Sequence, residues 1–370
     1  MRGEQTRFEE LLTVMPKGWE AKAKELGALI RGREIKKAID LLRLVFIYLT
    51  EGKSFSGTAA WLELSGICTI TKKAVFTRFQ KCAEWLRWLC EHIHRNNKSI
   101  VEPPGWLGKR KVYLVDASDE PVHGSDKADY RLHYAVGLYD LGMKEMALTS
   151  TETGEKAGNF KTFGENDIVI ADRAYCSIQG IAYLLGRKSG FLFRFGTNRF
   201  TVYNRQGRAV NILGYFKRLK PSETAEKTLY YKQNGEYKPL RFCVTRKTAK
   251  AEQKGLETLR KTRMRKHGNK KLSDAQIAYN RYVIIVTSIN DAAPELLLEL
   301  YRQRWQIELV FKRLKSLFKY HEIPVHVEQS ARAWFYGKLL LAALCETWVN
   351  KGRFSPSAEK RSSPTVVSVV

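Results

Sequence analysis

The sequence predicts an α/β fold: a mixed sheet covered by helices, preceded by an all-helical region and interrupted by a β-rich, basic segment. Three observations carry this. The first hundred residues repeat their apolar side chains at three- and four-residue spacing, the period of amphipathic helices. A linker over 101–108, with Pro103, Pro104 and Gly105, then marks a change to short apolar runs, several closing on turn residues or a carboxylate, as buried strands do. Those runs alternate with helical stretches, the arrangement of a sheet covered by helices. The predicted divisions are 1–106 (helical), 107–196 with 280–350 (sheet-bearing), 197–279 (the insertion) and 351–370 (a disordered tail with two Ser-Pro steps).

Taken in order, Ile35, Ala38, Ile39, Leu42, Val45, Phe46 and Leu49 form the first clear helical stripe, closed by Gly52. A short helix over Gly57–Leu64 follows, then a turn at Ser65–Gly66. A longer helix starts near Thr71, with Val75, Phe79, Cys82, Leu86, Leu89 and Ile93 as its buried stripe. Lys72, Lys73, Thr77, Arg78 and Lys81 lie largely outside that stripe, near the helix start. A helix-turn-helix that reads the major groove has this pattern, and so has a helical bundle with a solvated basic face.

Beyond the linker, Lys111–Ala117 (KVYLVDA) reads as a strand ending near Asp116. Tyr130–Tyr139 and Lys144–Ser150 are two more, joined by a turn at Asp140–Gly142. Ile168–Ala171 is a buried strand ending in Asp172, followed by a helix over Ser177–Leu185 and a strand over Phe191–Phe195. In the insertion, Asn234–Gly235 between two strand-like runs is a strong hairpin signal. The very basic stretch Arg260–Lys271 comes after it. Tyr282–Ile289 returns to buried-strand texture; Asn290 or Asp291 is the expected cap of one long helix over Pro294–Phe318. A last apolar helix covers Glu328–Trp348.

Composition narrows the function. Lys and Arg number 64 against 38 Asp and Glu, a net charge of +26, which draws a chain toward polyanions because neutralised phosphates release counterions. No run approaches the roughly 20 apolar residues that span a bilayer, and the N-terminus lacks a signal-peptide core, so a cytoplasmic, nucleoid-associated protein is expected. The 6 cysteines show no CxxC pairing, which argues against a zinc ribbon or a disulfide framework. Cys90, His92 and His94 lie close together, but at no standard zinc spacing.

Asp116 and Asp172 close buried strands, where ligand sites of α/β sheets gather. A buried carboxylate needs a partner, and either a cation or an arginine such as Arg173 would serve. In Leu300–Lys315 (LYRQRWQIELVFKRLK), Tyr301, Arg304, Glu308 and Lys315 share a helix face at steps of three, four and seven. Such a face is ordinarily a solubility device, but aromatic Tyr301 and the adjacent Trp305 suit a solvated stripe poorly. Asp119 is an alternative to Asp116 that alternation points to the opposite face. His123, Arg131 and His133 are further candidates, with structural roles expected.

The signature Y-x2-R-x3-E-x6-K, with Asp116 in YLVDASDEPV and Asp172 in IVIADRAY, resembles the DDE transposases of the IS-four insertion-sequence family. The resemblance spans about Lys111 to Trp348. It implies a ribonuclease-H-like fold with the β-rich insertion ahead of the glutamate-bearing helix, and it makes Asp116, Asp172 and Glu308 the ligands of two Mg2+ ions, with Mn2+ a substitute. It further implies cleavage at terminal inverted repeats and strand transfer into target DNA, by a homodimer on double-stranded DNA. Arg304 and Lys315 would grip phosphates, Tyr301 would contact the backbone or position Glu308, and Arg173 and Tyr175 would brace Asp172 or touch DNA. Lys72, Lys73 and Arg78 would bind repeat ends. Two alternatives are a ribonuclease-H-like nuclease without strand transfer and a non-catalytic DNA-binding descendant; the intact triad argues against the second. Relatives that excise through a hairpin hold a flipped base with aromatic residues of the insertion, often Trp. None occurs here between Trp106 and Trp305, leaving Tyr230, Tyr231 and Tyr237 as stacking candidates.

Overall fold

A computed structural model describes residues 8, 10–30, 33–50, 54–93, 101–196, 199–267, 271–319, 323–324 and 327–353. Gly52, His94 and the tail beyond 353 lie outside them. The helical region contains α1 (Trp19–Glu25), α2 (Ala38–Thr50), α3 (Phe55–Leu64), α4 (Lys72–Lys81) and α5 (Ala83–Ile93). Next come strands β1 (Lys111–Glu120), β2 (Tyr130–Gly137), β3 (Met143–Ser150) and β4 (Asp167–Ala171), helix α6 (Ile178–Gly186) and strand β5 (Gly190–Arg194). The insertion holds β6 (Thr224–Gln233), β7 (Glu236–Arg246), α7 (Ala249–His267) and α8 (Asp274–Asn280). The chain ends with β8 (Tyr282–Thr287), α9 (Pro294–Arg302), α10 (Gln306–Phe318) and α11 (Glu328–Arg353). Among the described residues no helix is long and apolar enough to cross a membrane.

By contacts the chain forms two compact units, Met1–Val101 with Asp119–Arg131 and Val310–Val370, and Glu102–Ser118 with Leu132–Leu309. In the first, α11 packs against α2, α4 and α5. Tyr48 stacks on Phe55 at 4.3 Å and meets Trp334 edge-on at 5.8 Å. The Lys338 ammonium is held inside by donating to the Leu49 carbonyl at 2.6 Å while lying over the Trp334 ring. The stretch expected to be one helix from Thr71 to Ile93 breaks at Cys82 into α4 and α5. Cys90 is fully buried and donates to the Tyr336 carbonyl, the position of a core residue.

In the second unit the eight strands form one sheet in the order β3-β2-β1-β4-β5-β8-β7-β6. β1, β4 and β5 are parallel, whereas β8 is antiparallel to β5 and β7. The insertion's strands thus extend the edge of the same sheet. Asn234 and Gly235 both have positive φ, 51° and 87°, as a type I′ hairpin turn requires. Phe191, Phe193, Phe195 and Phe242 build the core on one face, with Ile181, Leu184, Ile284 and Val286. α9 starts without a side-chain cap, on Pro294, which lacks the N–H that would need one. Asp291, an expected cap, instead accepts from Arg110 at 2.8 Å, and that hydrogen bond holds its carboxyl below the ordinary value. Because Phe193 is fully buried between β4 and β8, Phe193→Ala is expected to cost about 3–5 kcal/mol of unfolding free energy in urea titrations.

Candidate active site

The pairing of β1 with β4 sets the geometry. The strands run parallel with Lys111 opposite Asp167 and, step by step, Val115 opposite Ala171. Asp116 and Asp172 come next, so the register makes them neighbours across a strand spacing of roughly 4.8 Å. Val115 and Ala171 are buried in the core, and alternation directs the following residue to the other face. Each carboxylate caps the backbone beyond it: Asp116 accepts from the Ala117 N–H at 2.9 Å, and Asp172 from the Ala174 N–H at 2.6 Å. β1 does not stop at Ala117 as expected but runs to Glu120. Pairing with β2 continues there, the Asp129 N–H donating to the Glu120 carbonyl. Asp116 therefore lies inside its strand, at the level where β4 ends.

The third carboxylate enters from a broken helix. The single helix expected over Pro294–Phe318 is α9, a 3-10 turn over Gln303–Trp305 and α10. The signature straddles the break, with Tyr301 on α9, Arg304 in the 3-10 turn and Glu308 in the first turn of α10. Arg304 bridges two acids: one guanidinium nitrogen lies 3.7 Å from Asp116 Oδ2, and the other donates to Glu308 Oε1. Glu308 is open to solvent, its side chain 60% exposed, whereas the side chains of Asp116 and Arg304 are each 20% exposed.

Burial and neighbouring charge act together on Asp116. Burial, helped by the charges of Asp172 and Glu308, pushes its carboxyl up to about 6 despite the Ala117 N–H and Arg304. Burial works against the Arg304 charge, but the Glu308 hydrogen bond and the nearby acids outweigh it, holding the guanidinium above its ordinary value. Tyr301 is buried, and burial raises its hydroxyl to about 12, with Asp172 adding to the rise and Arg194, Arg304 and Arg173 opposing it. Arg194, which the sequence reading passed over, closes β5 beside β4; the one signal for it was a cation inside the apolar run FLFRF.

Among the described residues, no three His, Cys, Asp or Glu side chains stand close enough together to hold a metal ion as they lie. The donor set nevertheless suits a hard divalent cation, which takes oxygen ligands. Asp116 and Asp172 are side by side, the Asp116 carboxylate lacks sufficient counter-charge, and the third acid is occupied by Arg304, itself a cation.

The other predicted residues divide by environment. Arg173 is exposed and its side chain crosses Gly196, where a Cβ would lie 2.6 Å from Arg173 Cδ. Tyr175 is 1% exposed and lies within the core. Lys315 pairs at 2.9 Å with Glu120, an acid that is itself 1% exposed; the sequence offered no partner because β1 was read too short. Asp119 pairs with Arg131 at 2.5 Å, and buried His133 meets Thr149 Oγ1 at 3.0 Å, both structural. His123 is exposed, its backbone N–H donating to the Ile323 carbonyl. On α4, Lys72 and Lys73 are exposed, while Arg78 lies 3.7 Å from Glu34. Thr71 caps α4 by accepting from the Ala74 N–H, and Gly66 turns the chain after α3 with φ 65°. Of the three tyrosines in the insertion, Tyr231 is buried in the core, Tyr230 is half-buried and Tyr237 is 43% exposed.

Residues 107–344 match the family of the transposase DDE domain. The chain is 26% identical over 340 residues to the putative transposase InsL for insertion sequence element IS186A of Escherichia coli (strain K12), covering 90% of each. It is 26% identical over 341 residues to the transposase for insertion sequence element IS421 of Escherichia coli, again 90% of each. A shorter similarity, 26% over 225 residues, covers 55% of this chain and 47% of the transposase for insertion sequence element IS231F of Bacillus thuringiensis subsp. israelensis.

Asp116 titrates higher when folded than unfolded, so the folded protein takes up a proton between about pH 4 and 6 and loses stability as pH rises through that window. Asp116→Asn should therefore stabilise the cation-free protein at about pH 7.5, on the order of 2 kcal/mol or a few degrees in Tm, and hardly at all at about pH 4.5. Thermal melts in chelator at both pH values test this; an equal gap at both would refute a raised Asp116 carboxyl.

Proposed function

Because the chain belongs to the transposases with a DDE domain, we propose that it cuts DNA at the terminal inverted repeats of an insertion sequence and joins the freed ends to target DNA. Asp116, Asp172 and Glu308 are the proposed ligands of two Mg2+ ions, for which Mn2+ can substitute. The observation that carries this reading is the β1–β4 register: it brings the two aspartates side by side, and Arg304 links the first of them to Glu308. The strand order β3-β2-β1-β4-β5, with acids on β1 and after β4, supports a ribonuclease-H-like core within 107–196 and 280–350, interrupted by the insertion over 197–279.

When bound, the two cations supply Lewis acidity at the attacking and leaving oxygens of an in-line phosphoryl displacement. The chain's own residues do the rest. The capping N–H groups of Ala117 and Ala174 fix the rotamers of Asp116 and Asp172, so their remaining oxygens keep one direction. Arg304 holds Glu308 in place and offers donors to a phosphate oxygen once the acids are neutralised. Tyr301, buried beneath, keeps its proton at any working pH and acts as a hydrogen-bond donor. Strand cleavage adds water across a P–O3′ bond and leaves a 3′-hydroxyl and a 5′-phosphate. In transfer that hydroxyl attacks a target phosphodiester, and a new P–O3′ bond forms as the target's own P–O3′ bond breaks. The released target 3′-oxygen takes up a proton while the attacking hydroxyl gives its proton to solvent. The exposed Lys72 and Lys73 of α4, on a chain of net charge +26, support contact of the helical region with repeat ends. The family resemblance supports a homodimer on DNA.

Glu308→Gln should abolish Mg2+-dependent cleavage and strand transfer while leaving DNA affinity within about twofold, since 60% exposure of the side chain makes it a poor anchor for the fold. Retained cutting of terminal-repeat DNA would remove Glu308 from the ligand set. Replacing Lys72 and Lys73 by Gln should flatten the log–log salt dependence of DNA binding by about 0.9 per lost phosphate contact. An unchanged slope would mean that α4 faces away from DNA.

A further inference from the structure

A cavity of about 440 Å3 is lined by Arg173, the residue that follows Asp172, and by the end of β5, the helix α7 that follows β7, α8 and the start of β8. Its charged lining is entirely basic: Arg173, Arg194, Lys247 and Lys254 contribute cations, and no Asp or Glu lines it. Among the described residues none of these four forms an ion pair with a carboxylate. Arg194 donates to the Tyr282 carbonyl at 2.9 Å and Lys247 to Asn280 Oδ1 at 3.1 Å. Arginine carries five N–H donors and lysine three, so most of their donors are uncommitted.

We propose that this cleft binds a backbone phosphate of the DNA strand, next to the phosphate acted on at the carboxylates. The assignment rests on the transposase reading and extends it to a second anchoring point.

The cleft is built rather than incidental. Arg173 follows Asp172 directly and crosses Gly196, where any larger residue would collide with it at 2.6 Å from Cδ. Gly255 of α7 allows a similar approach, since a Cβ there would meet Asn280 Oδ1 at 2.4 Å and Lys247 Nζ at 3.1 Å. Two glycines thus let backbone close in around cations that, among the described residues, form no ion pair with a carboxylate. The cations press on one another: burial, with Arg194 and Arg173 adding to it and Glu252 opposing, lowers Lys247 to about 8. Burial lowers Arg194 to about 10, its arginine neighbours contributing. A phosphodiester supplies the missing charge, and guanidinium and ammonium donors suit its oxygens. Lys254 on α7 is exposed and also lines the cleft.

The test is a phosphate-by-phosphate binding scan in chelator, replacing single phosphates of a terminal-repeat duplex by neutral methylphosphonate. It compares the full chain with Lys247→Gln and with the exposed, fold-neutral Lys254→Gln. The expected result is one position in the strand at which neutralisation weakens the wild type about tenfold but weakens Lys247→Gln by less than about threefold, a coupling of the size seen for charged pairs. Equal losses for wild type and both variants at every position would overturn the proposal. Thermal stabilisation of the wild type, but not of the variants, by inorganic phosphate alone, without any coupled position in DNA, would assign the cleft to free phosphate and overturn it equally. Cleavage of the same duplex in Mg2+ is scored separately: its absence beside a coupled position would fault the transposase reading and leave the cleft assignment standing.

Discussion

Two carboxylates on adjacent parallel strands at the same level repel each other, and no rearrangement of side chains removes that repulsion while the strands stay in register. β1 and β4 are locked in register by five successive residue pairs, Lys111↔Asp167 through Val115↔Ala171, in the buried middle of the sheet. The fold therefore commits Asp116 and Asp172 to each other's company. Burial first, and the charges of Asp172 and Glu308 after it, raise the Asp116 carboxyl, a local instability of the kind expected where a site is shaped for a ligand rather than for the empty chain.

The cations around this point fall into successive ranks. Arg304 reaches the acids themselves, bridging Asp116 and Glu308. Behind it lie buried Tyr301 and then Arg194, near enough that each arginine moves the tyrosine's titration. Arg173 and Lys247 line the neighbouring cleft together with Arg194, and no Asp or Glu lines it. On the proposed function, a DNA strand meets the acids at its scissile phosphate and these cations at neighbouring phosphates, the reverse of what an isolated acidic patch would offer it.

Much of this was legible in the sequence because it was local. The helical period of the first hundred residues, the Asn234–Gly235 hairpin and the strands ending near Asp116 and Asp172 all depend on neighbours in the chain. The failures were long-range. β1 was read to end at Ala117, since the polar run Asp116–Glu120 looks like a turn; pairing with β2 keeps it extended, and the buried Glu120 that results claims Lys315. Asp291 was read as a cap, but Arg110, 181 residues away, takes it. Arg194 is marked in sequence only by its place in the apolar run FLFRF and Lys247 by nothing, and the sheet and α7 bring them together. The spacing of Tyr175 to Asp172 is visible in the sequence, while its burial is not.

The 3-10 turn over Gln303–Trp305 sets the bearing of Glu308 about its axis. Each 3-10 residue advances about 120° and 2.0 Å, against about 100° and 1.5 Å in an α-helix. Three residues of tighter winding therefore swing everything downstream by about 60° and push it about 1.5 Å further along, compared with one unbroken helix. Tyr301 lies upstream of the turn and Glu308 downstream, so the two are phased by that winding and not by their sequence spacing alone. The glutamate is in effect carried on a short crank. A single inserted or deleted residue in the turn would leave both helices intact, yet it would point the third carboxylate away from the other two.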